Sequence, residues 1–272
     1  MLPPVLACWL TLAAPPGLNI TSVPAAGSHY ALTFDAHSAE SGARELLALL
    51  RERRVRATIF VTGRFATDHA DIVRLAAADG HEIGNHTFTH PHLTTWATDH
   101  RNAVRPGVTR AFLQDELRRT AEVIELAIGH PPSRFWRAPY GEHNATIRGW
   151  AEELGLVQVD WTRAPGDALD SLDWVDDPHR RGYMGAEAMA RRILGFEARY
   201  GVPLAGSIIL MHLGSARPEP PLLEAVPIIL DEADRRGLRP VTVGELVRLG
   251  ALLIDRDPPG PPRGWPVLPS HP

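Results

Sequence analysis

The chain has 272 residues, 44% hydrophobic and 22% charged, a length that one α/β core can occupy and a composition that excludes a fibrous or disordered chain. Its formal charge of −4, with arginine supplying all 28 basic residues and no basic run, argues against a nucleic-acid or anionic-membrane surface and for a small or neutral partner. The single cysteine, Cys8, excludes an internal disulfide framework and a cysteine-based metal cage, so any metal must be held by N and O ligands.

Residues 1–27 read as an apolar segment and linker. The run from Leu2 to Ala14 is too short to span a membrane, and it lacks a positive start. A plain tail and a secretory signal are both compatible with it, and Val5-Leu6-Ala7-Cys8 is also similar to a short lipoprotein cleavage box. The corresponding locations are extracytoplasmic or secreted for a signal, and cytoplasmic for a tail. PPGLNITSVPAAGS reads as linker, and residues 255–272 as a proline-rich tail. The working domain is therefore 28–254.

Within it, Tyr30–Phe34 reads as a buried strand followed by a helix with Ala43, Leu46, Leu47 and Leu50 on one face. Ala57–Val61 is the next strand, and Thr67 is placed to cap a helix that carries Ile72, Leu75 and Ala76 and stops at Gly80. Glu82–Gly84, Arg134–Trp136, Val157–Val159, Ser207–Met211 and Pro240–Thr242 follow as strands. Between and after them run helices at about 112–128, after Asn144, at 186–200, at 222–236, and beyond a capping box at Thr242 and Glu245. About seven alternating units imply parallel strands covered by helical crossovers, hence a barrel or a doubly wound sheet.

In such folds the loops at the C-terminal ends of the strands converge on one mouth. Asp35 ends the first strand, His86 and His90 follow the third, Arg137 the fourth, and His212 the sixth. Each has an ordinary structural explanation alone, such as a turn cap, a surface ion pair or a hydrogen-bonded core histidine. Their joint placement at strand ends is what points to a site.

From Ala31 to Leu249 the chain resembles the polysaccharide deacetylase family with the NodB homology domain, carbohydrate esterase family 4. Thr33-Phe34-Asp35-Ala36, His86-Thr87-Phe88-Thr89-His90, Arg137-Ala138-Pro139-Tyr140-Gly141, Trp161 to Asp167, and Leu210-Met211-His212 look like its five motifs, in order. The resemblance implies a single-domain distorted (β/α)7 barrel of parallel strands. It also implies a divalent metal, zinc above all, on His86 and His90, with Asp35 as general base and Arg137 holding that base ionised. His212 is then the general acid, Asp167 keeps it cationic and oriented, and the backbone N–H of Tyr140 supports the oxyanion. In the fourth motif Asp167 fits the aspartate of the family's Asp-Trp pair, with Ala168 in place of the tryptophan, and Asp160 is a rival for the same role. The family usually reads Thr-Phe-Asp-Asp, and its second aspartate, a metal ligand, is Ala36 here. His37 and Glu40 are the candidates to replace it, since imidazole and carboxylate both suit zinc, and the two histidines with Asp35 or water are the alternative for a more weakly held metal.

The implied activity is hydrolysis of acetyl groups, N-acetyl ahead of O-acetyl, on a bacterial cell-wall polysaccharide such as peptidoglycan, or on chitin. Two other readings stay open: a metal-independent member that cleaves another non-peptide carbon–nitrogen bond, and a non-catalytic glycan-binding relative. Trp96, Trp136, Trp161 and Trp174 offer faces that suit sugar rings. The stretch from Pro91 to Arg110 is long enough to shape a wall of the cleft.

Overall fold

A computed structural model describes residues 17–250 and the backbone of 253–254. The apolar run at Leu2–Ala14 and the tail at 255–272 lie outside the described residues. The first element is a strand, β1 (Asn19–Ser22), within the segment whose proline and glycine content reads as linker. Turn residues mark where a chain bends and leave the four residues between the bends undecided. Next come β2 (His29–Ala36), α1 (Ala43–Glu52), β3 (Thr58–Val61), α2 (Gly63–Asp68), α3 (Ala70–Ala78), β4 (Glu82–Asn85), α4 (Trp96–Asp99) and α5 (Arg110–Ile128). Then β5 (Phe135–Trp136), α6 (Ala145–Glu152) and β6 (Val157–Val159) lead into a short hairpin of β7 (Arg163–Ala164) and β8 (Asp167–Ala168). The described residues end with α7 (Ala186–Leu194), α8 (Phe196–Tyr200), β9 (Ile208–His212), α9 (Leu222–Arg235), β10 (Arg239–Val241), α10 (Val243–Leu249) and β11 (Leu253–Ile254).

β2 is the hub. β3, β4, β5, β6 and β1 follow it in order on one side, β9 pairs on the other, and all these ladders are parallel; β11 closes the far edge antiparallel to β1. Ala31 pairs with both Val241 of β10 and Ile208 of β9, so β10 shares the flank taken by β3. The seven units read from the sequence are β2, β3, β4, β5, β6, β9 and β10. Loop backbone spans the gap between β6 and β9: the Thr162 N–H donates to the Ile208 carbonyl, and the Leu210 N–H to the Leu169 carbonyl. The result is the distorted parallel barrel with an outer layer of helices.

Strand parity sorts β2 into two faces. Tyr30, Leu32, Phe34 and Ala36 join the core beneath the helices, with Leu46, Leu47 and Leu50 of α1. Ala31 faces the barrel interior with Ile20, Phe60, Trp161 and Leu210, and Asp35 shares its parity. Burying each leucine of α1 stabilises the layer by roughly 1.5–3 kcal/mol before chain entropy is counted.

Two helix boundaries differ from the sequence reading. The helix that carries Ile72, α3, starts after His69 with no side-chain cap, and Thr67 lies inside the preceding α2, donating to the Gly63 carbonyl; Thr62 caps α2, its Oγ1 accepting from the Phe65 N–H at 3.1 Å. The helix expected over 186–200 breaks at Gly195, where a side chain would meet the Arg191 carbonyl. Asn144 caps α6, and Thr242 with Glu245 forms the capping box of α10, as their spacing predicts.

Candidate active site

Asp35 reaches the mouth because β2 runs one residue past it and its parity points inward. Arg137, fully buried after β5, donates from Nη1 to Asp35 Oδ1 at 2.7 Å. Its other donors go to Thr33 Oγ1 at 2.9 Å and to the carbonyls of Val159 and Asp160. The guanidinium also lies 4.2 Å from the Phe60 ring centroid. Burial pushes the Asp35 carboxyl up, but the positive charge of Arg137, helped by that of His212, outweighs it and holds the group below its ordinary value.

His86 follows β4. Its Nδ1 lies 2.8 Å from the Arg137 carbonyl, which can only accept, so Nδ1 carries the proton and Nε2 presents a lone pair 3.5 Å from Asp35 Oδ2. His90 is delivered by a loop in which Thr87 and His90 themselves have φ of 63° and 58°, a left-handed conformation that is costly for side-chain-bearing residues. Glu116 of α5 holds that loop, accepting from the N–H groups of Phe88 and Thr89 at 2.9 and 2.7 Å and from Thr89 Oγ1. The His90 ring meets His86 edge-on at 4.8 Å, meets Tyr140 at 4.6 Å and stacks on His37 at 5.0 Å. Burial, with the neighbouring imidazoles, keeps His90 well below the usual histidine range; burial lowers His86 also.

The donors expected for a divalent metal are incomplete here. Ala36 offers no donor and faces the helix layer. Glu40 is exposed and turned to His69, with Oε2 3.2 Å from its Nδ1, so it does not reach the cavity. His37 does line the cavity, but its plane lies within 25° of that of His90, so the two rings stack rather than converge on a point. Among the described residues no three His, Cys, Asp or Glu side chains form a metal-holding group. Two imidazoles fall short of the three protein ligands of a catalytic zinc.

The opposite wall carries His212, at the end of β9. Its partner is Asp173: Oδ1 lies 3.1 Å from His212 Nδ1, and Oδ2 accepts the His212 backbone N–H at 3.2 Å. Burial alone lowers the imidazole, but Asp173, Asp35 and Asp170 together push it up to about 9. Asp167, expected in that role, instead sits on β8 against Arg192 and the Tyr200 hydroxyl. Asp160 also stands elsewhere, with Arg163 at 3.0 Å and His143 at 3.4 Å. The missed signal was an intact Asp-Trp pair at 173–174, displaced from Trp161 by the β7–β8 hairpin.

The cavity between the walls is lined by Asp35, His37, His86, His90, Tyr140 and His212, with Trp161, Trp174, Leu210 and the buried Asp170 closing it. Burial raises Asp170 to about 6, although Trp174 Nε1 donates to it at 3.2 Å. Tyr140 lies in a 3-10 turn, Pro139–Gly141, with φ of 59°, its ring stacked on His92 at 4.0 Å. His92 Nδ1 in turn lies 2.8 Å from Glu142, whose other oxygen accepts the N–H groups of Leu93 and Thr94. Of the four tryptophans considered, Trp136 is buried in the core and Trp96 meets His100, so only Trp161 and Trp174 face the cavity. Residues 91–110 contribute none of its lining.

Residues 22–159 match the family model for polysaccharide deacetylases. The chain belongs to the polysaccharide deacetylase family. A peptidoglycan-N-acetylglucosamine deacetylase of Bacillus cereus is 28% identical over 213 residues, which cover 78% of this chain and 66% of that protein. A chitooligosaccharide deacetylase of Sinorhizobium fredii is 32% identical over 183 residues, 67% of this chain and 71% of that one. The solved structure of a peptidoglycan N-acetylglucosamine deacetylase bound to 4-naphthalen-1-yl-N-oxidanyl-benzamide superposes with a TM-score of 0.68 at 26% identity, covering 85% of this chain and 92% of that one. Hydrolytic deacetylation is the reaction class of the family.

Proposed function

We propose that this polysaccharide deacetylase removes acetyl groups, N-acetyl ahead of O-acetyl, from a cell-wall polymer such as peptidoglycan, or from chitin, by general acid–base hydrolysis. The observation that carries this reading is one cavity with a carboxylate held ionised on one wall, Asp35, and an imidazolium held protonated on the other, His212.

Asp35 takes a proton from a water molecule, with the His86 Nε2 lone pair orienting that water. The water oxygen attacks the acetyl carbonyl carbon, and the Tyr140 backbone N–H supports the charge that develops on its oxygen. His212 then gives the proton on its cavity-facing nitrogen to the sugar nitrogen as the C–N bond breaks, releasing acetate and a free amine. Asp173 compensates the imidazolium and holds its orientation. Trp161 and Trp174 form apolar walls suited to a sugar face. His86 and His90 are the two donors a divalent metal would use; among the described residues no third protein ligand completes that set. A cell-wall substrate requires export, which a reporter fused to residues 1–28 tests directly.

The deciding measurement is acetate release from N-acetylglucosamine oligomers and from peptidoglycan, by the wild type and by Asp35→Asn. A loss of about 10²- to 10⁴-fold is expected in the variant, and near-native release by Asp35→Asn overturns the mechanism. No release by the wild type from any acetylated polymer, with glycan binding retained, points to the non-catalytic relative. Turnover of another non-peptide carbon–nitrogen bond, with no acetate released, points to the metal-independent relative; acetate release that a chelator abolishes would put a metal in the reaction after all.

A further inference from the structure

Arg217 is only 4% exposed, lies five residues beyond His212, and has no part in the chemistry above. Its Nη1 donates to the Met184 carbonyl at 2.8 Å and its Nη2 to the Leu172 carbonyl at 3.3 Å, while the guanidinium lies 4.2 Å over the Tyr183 ring. Those three partners stand at the two ends of one loop, 172–184, that begins beside Asp173. Leu172 has φ of 59°, a conformation that costs of order 1–3 kcal/mol for such a residue and persists only where its surroundings enforce it. One neighbour enforces it through Asp170 Oδ1, which accepts the Leu172 N–H at 2.7 Å; Arg217 grips the carbonyl of the same residue.

We propose that Arg217 is a positioning residue for the Asp173–His212 pair: it staples the loop that carries Asp173 to the segment that leaves His212, and so fixes carboxylate against imidazole. The fork of a guanidinium suits this task, because two separate carbonyls must be held at once by a rigid planar group. The consequence for rate rests on His212 acting as the acid. The geometric claim does not, since it concerns a hydrogen bond present without substrate.

The test reads that hydrogen bond in the full-length protein. The His212 Nδ1–H should give a slowly exchanging, downfield proton signal in NMR, assigned by its loss in Asp173→Asn and in His212→Gln. Arg217→Ala should abolish or markedly broaden it. Arg217→Lys keeps the charge but not the fork and should restore it only in part. In acetate release, kcat should fall more than KM rises in both variants, by roughly tenfold or more for alanine. A folded Arg217→Ala with an unchanged signal overturns the proposal, as does full restoration by lysine, which would assign the effect to charge alone. If Arg217→Ala does not fold, Tyr183→Ala removes only the ring beneath the guanidinium and should weaken the signal; no change there also overturns the proposal. A chain that releases no acetate at all still answers through the NMR signal.

Discussion

The two walls of the cavity are built by different means. The base wall is made of strand ends: Asp35 on β2, His86 after β4 and Arg137 after β5, tied together by backbone carbonyls and one guanidinium. The acid wall has only His212 on a strand; Asp173, Asp170 and Trp174 come from the irregular stretch after β8. A strand end is placed by parity and register, whereas a loop residue is placed by whatever holds the loop. Damage to the first wall should therefore cost stability and activity together, and damage to the second should change proton affinity.

The largest effect is expected for Arg137→Ala. It leaves the Asp35 carboxylate buried without its cation and takes from Thr33 Oγ1 the hydrogen bond it accepts, and breaking a buried pair in this way costs about 3–5 kcal/mol. Urea unfolding at neutral pH measures it. A loss below about 1 kcal/mol would mean that the wall is held by the strands and not by the ion pair. Because Asp35 has a depressed folded pKa, its stabilising contribution is present above the ordinary carboxylate value of 3.8 and is lost as pH falls through the lower, folded one.

Asp173→Asn tests the second wall. His212 is raised from 6.5 to about 9, so the stability it contributes is full below 6.5 and lost as pH rises through about 9. Activity in the wild type should hold from the acid range, where Asp35 is already ionised, to an alkaline limb near 9. In Asp173→Asn that limb should move to lower pH, toward 6.5, with a smaller stability change than in Arg137→Ala. A limb that stays near 9 would assign the charge on His212 to Asp35 and Asp170 instead.

Glu116→Gln should have a still smaller effect. The amide keeps one acceptor oxygen for three donors on Phe88 and Thr89, so roughly 1–3 kcal/mol should be lost. The left-handed turn at Thr87 and His90 should relax with it. Zinc content sharpens the same point: with two imidazoles as protein donors, metal should dialyse away, and His37→Ala should not change what remains. Equimolar zinc that survives dialysis and falls in His37→Ala would make His37 the third ligand.

The legible part of the molecule follows the same division. The alternation of apolar runs placed seven strands, and four strand ends exposed Asp35, His86, Arg137 and His212, because period and position are written locally. β1 was hidden by the prolines and glycines that bracket it. Asp173 was missed because the β7–β8 hairpin lengthens the path from Trp161, so counting from the tryptophan lands on Asp167. Glu116 and Glu142 act on backbone 28 and 49 residues away, and no spacing rule signals such pairs.

The smallest effect separates the two aspartates directly. Asp167 accepts from the Tyr200 hydroxyl at 2.8 Å and pairs with Arg192, both near the surface. Burial raises its carboxyl, but the hydrogen bonds from Tyr200 and the Ala168 N–H, with Arg192, together bring it below the ordinary value. Its contribution to stability is therefore present above pH 3.8 and fades on acidification, and solvent screening keeps it near the ~0–1 kcal/mol typical of surface pairs. Asp167→Asn removes the charge and leaves one oxygen to accept, so unfolding should shift by a few tenths of a kcal/mol. The alkaline limb of deacetylation should not move, since the residue has no contact with His212. A limb that moved in Asp167→Asn and stayed in Asp173→Asn would reverse the assignment and place the acid wall on the hairpin.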